Sequence, residues 1–553
     1  MTMRSPGAVL PLFFGTQKPQ DVGFSSALIE SFAKISTARN LGGSEDSQPY
    51  RGFGGLLTEQ VPTRELLKKL ARRLMQGTGA ADNPNIPSGY TYLAQLAAHD
   101  LVSTTTPLPR ENDAASYFRR DYRINRLALD TIYGGGPVAN PLPYAVDRST
   151  AWRQRYLLRL GHIPCKESET AMPDPPMMDQ PPRDIARAAC PFLHDKPSRG
   201  VPDALLADPR NDDHLIIAQL TALFHELHNI VAGKLGGEPQ NDFVAYRRFL
   251  DARNVVTLAY RKVIINDLMR RLLEDRVYQH YLTAPYPGGF IDHHDDGAVP
   301  VEFSHAAYRI GHVMVRFRYT LNGTGHNGGP QVPSMLDIIQ RSSSREADRL
   351  PVATTWLIDW ARFFQIDPAV QPNLSRRIVP HLGGALGSSG TFPNEDQADG
   401  GLIYRDLLRG ADAGVRTVES MIQRLRAEDR ERSELLRDPN KRRERIADWL
   451  TAANGHGFTD PEKSSLSENP PLLLFLLLEA ALTQDGLRLG ILGSTIVAEV
   501  FFAAYRIHHR SFEGDPNVVA MANGVFGGTI PADMPALIAF VKANGGLREP
   551  QCP

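Results

Sequence analysis

Tyr90-Thr-Tyr-Leu-Ala-Gln95-Leu-Ala-Ala-His99-Asp100 is the stretch on which the reading of this chain turns. Gln95 and His99 stand four residues apart, so on a helix both point from one face. The segment alone leaves two accounts of that face open. His99 is either an acid/base imidazole, or a hydrogen-bonded core histidine with Asp100 turned to solvent.

Further along come Asp208-Pro-Arg210-Asn-Asp-Asp213-His214 and Glu302-Phe303-Ser304-His305-Ala-Ala-Tyr308-Arg309-Ile-Gly-His312. Peroxide cleavage needs a neutral imidazole that takes a proton from one oxygen and returns it to the leaving oxygen. It also needs a fixed cation beside the polarising O–O bond, and a guanidinium serves because it keeps its proton. His99 and Arg210 are the candidates for those tasks, and His312 for holding iron. Taken singly, Arg210 reads equally as the cap of a surface turn, and His312 as filling on an apolar stretch.

The 553 residues suffice to bury a large core and a bulky cofactor. Lys and Arg total 61 against 62 Asp and Glu, so no strongly basic surface recommends nucleic acid as a partner. Cys165, Cys190 and Cys552 are odd in number and scattered, and are expected to form neither a disulfide framework nor a zinc site. Pro and Gly interrupt the N-terminal Met1-Thr-Met-Arg4-Ser-Pro-Gly where a signal peptide needs an apolar stretch. The most apolar run, Leu472 to Leu478, falls well short of the roughly twenty residues that span a bilayer. No integral membrane segment and a cytoplasmic location are expected, with the oligomeric state open.

Residues 1–60, rich in Gly, Ser and Pro, read as an extended arm, and 61–545 as one mostly α catalytic unit with long irregular loops. Helical periodicity follows Thr63, an N-cap candidate, and recurs over Leu215–Ala232, Val244–Leu273, Val415–Leu425 and Leu472–Ala504. Arg426–Arg445 is mostly charged and reads as a solvated helix pair around Asp438-Pro-Asn. Pro137–Pro143 and Pro164–Pro182 read as loops, and no alternating stretch is long enough for a large sheet.

In their order along the chain, from Tyr90 to Ala504, these segments resemble the animal-type haem peroxidase superfamily (myeloperoxidase- and cyclooxygenase-like), and its bacterial branch above all. The resemblance implies a haem b enzyme of mostly α fold that reduces hydrogen peroxide through a ferryl state and then oxidises a small organic donor or a halide. By position, Gln95, His99 and Arg210 resemble the distal glutamine, histidine and arginine, and His312 the proximal iron ligand. Arg309 matches a haem propionate partner. The proximal hydrogen-bond acceptor, an asparagine in the family, falls on Asp406 within Leu402-Ile-Tyr-Arg-Asp406-Leu-Leu-Arg409-Gly-Ala-Asp412, with Arg409 as a second haem-side cation. A carboxylate at Asp406 would draw the imidazole towards imidazolate and favour high-valent iron. The competing account pairs Asp406 with Arg405 or Arg409 on a surface.

Three positions depart from the mammalian pattern. Ala98 replaces one ester-forming carboxylate, Asp213 is one methylene shorter than the other, and His214 stands where a methionine links to haem. One haem ester, through Asp213, is therefore the most the resemblance implies. Asp100 matches a calcium ligand, but in Ile124-Asn-Arg126-Leu-Ala128-Leu-Asp130-Thr-Ile-Tyr133-Gly134 the key aspartate position is Ala128, leaving Asp130 as the nearest carboxylate.

The superfamily also contains fatty-acid oxygenases, whose radical-bearing tyrosine lies three residues before the proximal histidine. Here that place is Arg309, with Tyr308 one earlier, which favours peroxide chemistry, although Tyr319 or Tyr404 could serve instead. A haem oxygenase of lipids or natural products, and a non-catalytic haem-binding protein, are the alternatives. Asp292-His-His-Asp-Asp296 reads as an exposed loop, Gly134-Gly-Gly-Pro137 lacks the context of a phosphate loop, and His225-Glu-Leu-His228 has the wrong spacing for a zinc protease.

Overall fold

The computed structural model describes residues 62–76, 80–102, 126–145, 155–165, 182–189, 202–283, 290, 299–325, 329–346, 349–383, 386, 401–452 and 457–550. The proposed arm, Cys190, Cys552 and the Asp292–Asp296 loop lie outside these residues.

Thr63 caps the first helix, α1 (Arg64–Leu74), its side-chain oxygen accepting from Leu66 N at 3.3 Å. Leu66, Leu67, Leu70, Ala71 and Leu74 then fall on one buried stripe, as the 3.6-residue period requires. A short strand, β1 (Asp82–Pro87), leads directly into the helix of the opening motif, α2 (Gly89–Leu101). Nearly every side chain of α2 is buried, because other elements surround it. It packs on α3 (Leu215–Lys234) and on the turns 209–212 and 307–314, which carry Arg210 and His312. Helix α3 packs in turn on α4 (Asp242–Val263). Among the described residues α3 alone is one helix long and apolar enough to cross a membrane, and 83% of its apolar window is buried inside the fold.

Three elements complete the frame: β2 (Leu374–Arg376), antiparallel to β1, α5 (Gly401–Asp412), packed on α1, and the pair α6 (Leu472–Gln484) and α7 (Ile491–Ile507). Sheets among the described residues are all two-stranded, so the mostly α expectation holds. One contiguous apolar core runs through all of the helices named.

Four local expectations need correction. The single pattern Leu472–Ala504 is broken between α6 and α7, where Asp485 (φ 51°) and Gly486 (φ 67°) are both left-handed and end α6. The Val244–Leu273 pattern passes at Ile264 into a π-helical turn, Ile264–Met269. That turn carries Asp267, which accepts from Tyr90 Oη (2.6 Å) and so fixes the start of α2. The charged stretch forms three short helices, 427–431, 434–437 and 439–451, and is not simply solvated. Asp429 and Arg442 are buried in it, Arg442 by Glu419 and the Leu435 carbonyl. Finally, Cys165 is disulfide-bonded. Its partner lies outside the described residues; spacing along the chain carries no record of such a contact.

Candidate active site

On α2, His99 is 7% exposed and its Nδ1 lies 2.9 Å from Asn211 Oδ1. Asn211 belongs to the 3-10 turn Pro209–Asp212, which Asp208 caps by accepting from Arg210 N. The same carboxylate grips the Arg210 side chain, with Nε to Oδ1 at 3.0 Å and Nη2 to Oδ2 at 2.7 Å. Nη2 also donates to the His99 carbonyl at 2.8 Å. Two oxygens and a carbonyl thus hold a guanidinium planar against the end of α2, which one point charge could not achieve. The remaining Nη1 has no partner among the described residues, and the side chain is 32% exposed.

Gln95, one turn before His99, does not share its partner. Its Oε1 lies 2.9 Å from Nε2 of His214, whose Nδ1 accepts from Ile217 N as the N-cap of α3. Because Nδ1 accepts, Nε2 must carry the proton and donate to Gln95. Burial, with His99 nearby, pushes the His214 pKa down to about 3, so His214 stays neutral. Asp213 is exposed, yet burial among protein atoms pushes its carboxyl up to about 6, against the lowering influence of Arg210.

Asp100 and Asp130 make different contacts. The wholly buried Asp100 accepts from Leu129 N (3.0 Å) and Thr131 N (3.3 Å), whereas Asp130 meets Arg253 at 2.8 Å. These bonds hold a loop in which Leu127 and Leu129 both adopt positive φ, a costly conformation for leucine. Among the described residues no group of three or more His, Cys, Asp or Glu is arranged to hold a metal ion.

Residues Ala307–Met314, which also pack on α2, form a 3-10 helix rather than an α-helix. With three residues per turn, Arg309 and His312 eclipse on one face. Both meet Asp406 of α5, His312 Nδ1 at 2.5 Å from Oδ2 and Arg309 Nη1 at 3.8 Å from Oδ1. Arg309 Nε also donates to the Ser304 carbonyl. Asp406 is 0% exposed, so the surface account of it fails. Burial by itself would raise its carboxyl, but His312, Arg309 and Arg409 outweigh burial and hold it below the usual range. Tyr308 falls on another face, stacked on Phe303 (4.7 Å) and tilted on Phe501 (5.3 Å), with its hydroxyl buried and unpaired among the described residues.

The two halves are braced together. Tyr92 of α2 lies edge-on to His214 (5.2 Å) and to Tyr319 (5.8 Å), and Tyr319 Oη accepts from Arg316 N. Arg316 in turn reaches Asp82 of β1 and the Leu374 carbonyl of β2.

The donor set fits a histidine-ligated haem. His312 has its Nδ1 committed to a carboxylate, its Nε2 unpartnered among the described residues and its side chain 29% exposed. Beside it, Gly311 has no atom within 4 Å of where a side chain would begin. Sequence reasoning missed Asp208, Asn211 and Thr131. The Asp-Pro start of the turn could have flagged Asp208, but nothing local to Asn211 or Thr131 points to His99.

Residues 165–363 match the animal haem peroxidase family model. No curated protein matches the chain. Peroxidase A from Dictyostelium discoideum is similar in structure (TM-score 0.53, 13% identity), over 91% of this chain and 93% of that one. So is a tyrosine-to-phenylalanine variant of Oryza sativa fatty acid alpha-dioxygenase with palmitic acid (TM-score 0.50, 13% identity), over 98% and 96%. The chain shares the fold of these peroxidase and dioxygenase structures, and within it residues 165–363 are similar to the animal haem peroxidase family.

Proposed function

We propose that the protein is a haem b peroxidase that reduces hydrogen peroxide and oxidises a small organic donor or a halide. The observation that carries this reading is the pair of histidines fixed through Nδ1, His99 by an amide and His312 by a carboxylate, on segments that both pack on or belong to α2. Bound haem supplies the redox-active iron at which peroxide is reduced. His312 Nε2 would hold that iron, its ring oriented by Asp406 through Nδ1. His99 Nε2 accepts one peroxide proton and returns it to the departing oxygen, while Arg210 Nη1 offsets the charge that develops there. Gln95 keeps its amide NH2 for ordering water or a small anion, Arg309 and Arg409 offset haem propionates, and Asp213 offers the carboxyl for one ester.

Peroxide chemistry is favoured over lipid oxygenation by the 3-10 turn, which puts an arginine, Arg309, beside Asp406 where a tyrosine would be needed and turns Tyr308 into the Phe303–Phe501 cluster. The Cys165 disulfide favours an oxidising compartment over the reducing cytosol. The test is the absorption spectrum of the haem-loaded protein before and after stoichiometric peroxide, with linoleate and oxygen as a parallel arm. A peroxide-induced Soret change without a regiospecific lipid hydroperoxide is expected. The hydroperoxide would replace this reading with the oxygenase one, and a protein inert to peroxide would leave only haem binding.

A further inference from the structure

We propose that Asn211 is the positioning residue that sets the tautomer of His99, and that the Asp100 loop exists to keep Asn211 in the required orientation. The inference rests on the peroxidase reading for its consequence in catalysis, but its geometry stands independently.

The side-chain amide of Asn211 has a donor end and an acceptor end, and its neighbours decide which faces where. Asn211 Nδ2 lies 3.0 Å from the Thr131 carbonyl oxygen. A carbonyl can only accept, so the atom facing it is the NH2, and the oxygen is the end turned to His99. Oδ1 also lies 3.3 Å from the Thr131 hydroxyl, which can donate to it. An amide oxygen cannot donate, so His99 Nδ1 must carry the proton at their 2.9 Å contact. In the neutral ring Nε2 then bears the lone pair, which is the form a proton acceptor needs. The opposite tautomer would set two lone pairs against each other between buried groups, Asn211 being 0% and His99 7% exposed.

Thr131 is held for this task. Its backbone N–H donates to Asp100 Oδ1, and Leu129 N–H donates to Oδ2. Asp100 follows His99 directly in the chain. Its carboxylate folds the loop that presents Thr131 to Asn211, and Asn211 closes the circuit on His99. The positive φ of Leu127 and Leu129 is sustained inside this circuit. Asp100 thereby has a role that requires no cation.

The test uses the full chain labelled with 15N-histidine, haem-free for spectroscopy and haem-loaded for kinetics. The His99 signals are identified by their loss in His99→Gln. Wild type is expected to show a protonated-type Nδ1 and an unprotonated-type Nε2 for His99. Asn211→Leu, close in size but without an acceptor, should mix or invert them and slow the reaction with peroxide by up to about 10²–10⁴-fold, the share that a positioned acid–base group supplies. Asn211→Asp restores the acceptor towards His99, although its second oxygen then meets the Thr131 carbonyl, and should recover part of that rate. It should also move the acid limb of the pH–rate profile upward, because a carboxylate favours imidazolium. An unprotonated Nδ1 in wild type overturns the proposal, as does Asn211→Leu with unchanged signals and rate. If Asn211→Leu does not fold, an unmoved acid limb in Asn211→Asp overturns it. A wild-type protein that takes up no haem or ignores peroxide would sink the peroxidase reading, yet leave the tautomer measurable.

Discussion

Replacing Asp406 with asparagine isolates the charge of the proximal pair. The substitution keeps the side chain's size and one oxygen to accept from His312 Nδ1, 2.5 Å away, but removes the negative charge that His312, Arg309 and Arg409 stabilise in a fully buried site. A charge-assisted hydrogen bond contributes about 1.5–3 kcal/mol and a neutral one about 0.5–1.5, so about 1–1.5 kcal/mol of preference for the more positive iron is lost. At about 59 mV per tenfold for one electron, the Fe(III)/Fe(II) potential of the haem-loaded protein should rise by roughly 40–65 mV. Loss of the counter-charge for Arg309 and Arg409 acts in the same direction. Spectroelectrochemical titration of wild type and variant reads the shift, and stopped-flow should show peroxide reacting about 10–100-fold more slowly. A potential that stays put or falls refutes the claim that Asp406 acts on iron through His312.

Other substitutions test separate parts of the argument. His99→Ala should retain haem and lose about 10²–10⁴-fold in its rate with peroxide, whereas a small loss would mean that another group moves the proton. Asp213→Asn should make haem fully extractable by acid-acetone, and complete extraction from wild type would dispose of the ester. Glu479 is fully buried and accepts from Leu492 N (2.9 Å) and Gly493 N (3.2 Å) at the start of α7; burial, partly offset by those donors, pushes its carboxyl up to about 7. Because its folded pKa exceeds the unfolded value of about 4.3, its contribution is complete below about pH 4.3 and is lost as pH rises through about 7. Relative to Glu479→Gln, wild type should therefore lose up to about 3 kcal/mol between pH 4.5 and 8 in urea unfolding; parallel pH curves would show that the carboxyl is not buried as described.

Much of the helical content was legible because it is written in local periodicity. Thr63 and the apolar stripe of α1 predict that helix within a residue or two, and the α2 motif lies where its spacing puts it. Breaks were less legible. The end of α6 at Asp485 and the π-helical turn at Ile264 depend on how neighbours pack, with Gly486 pressed 2.8 Å from Val379 as measured from its notional side chain. At the site, His99, Arg210, His312 and Asp406 were readable as residue types in a familiar order. The pairing of Asp130 with Arg253, a residue far along the chain, was not readable from the sequence.

Residue order and chemical type, both local properties of the chain, are enough to say that this protein is helical and to name imidazole, guanidinium and carboxylate groups as its candidate reactive inventory. Which groups meet is a different kind of fact. Asn211 reaches His99 across 112 residues, and Asp406 reaches His312 across 94. A hydrogen bond forms or fails within a few tenths of an ångström, so such pairings are set by how α2, α5 and the turns between them pack together, and no periodicity in the chain encodes them.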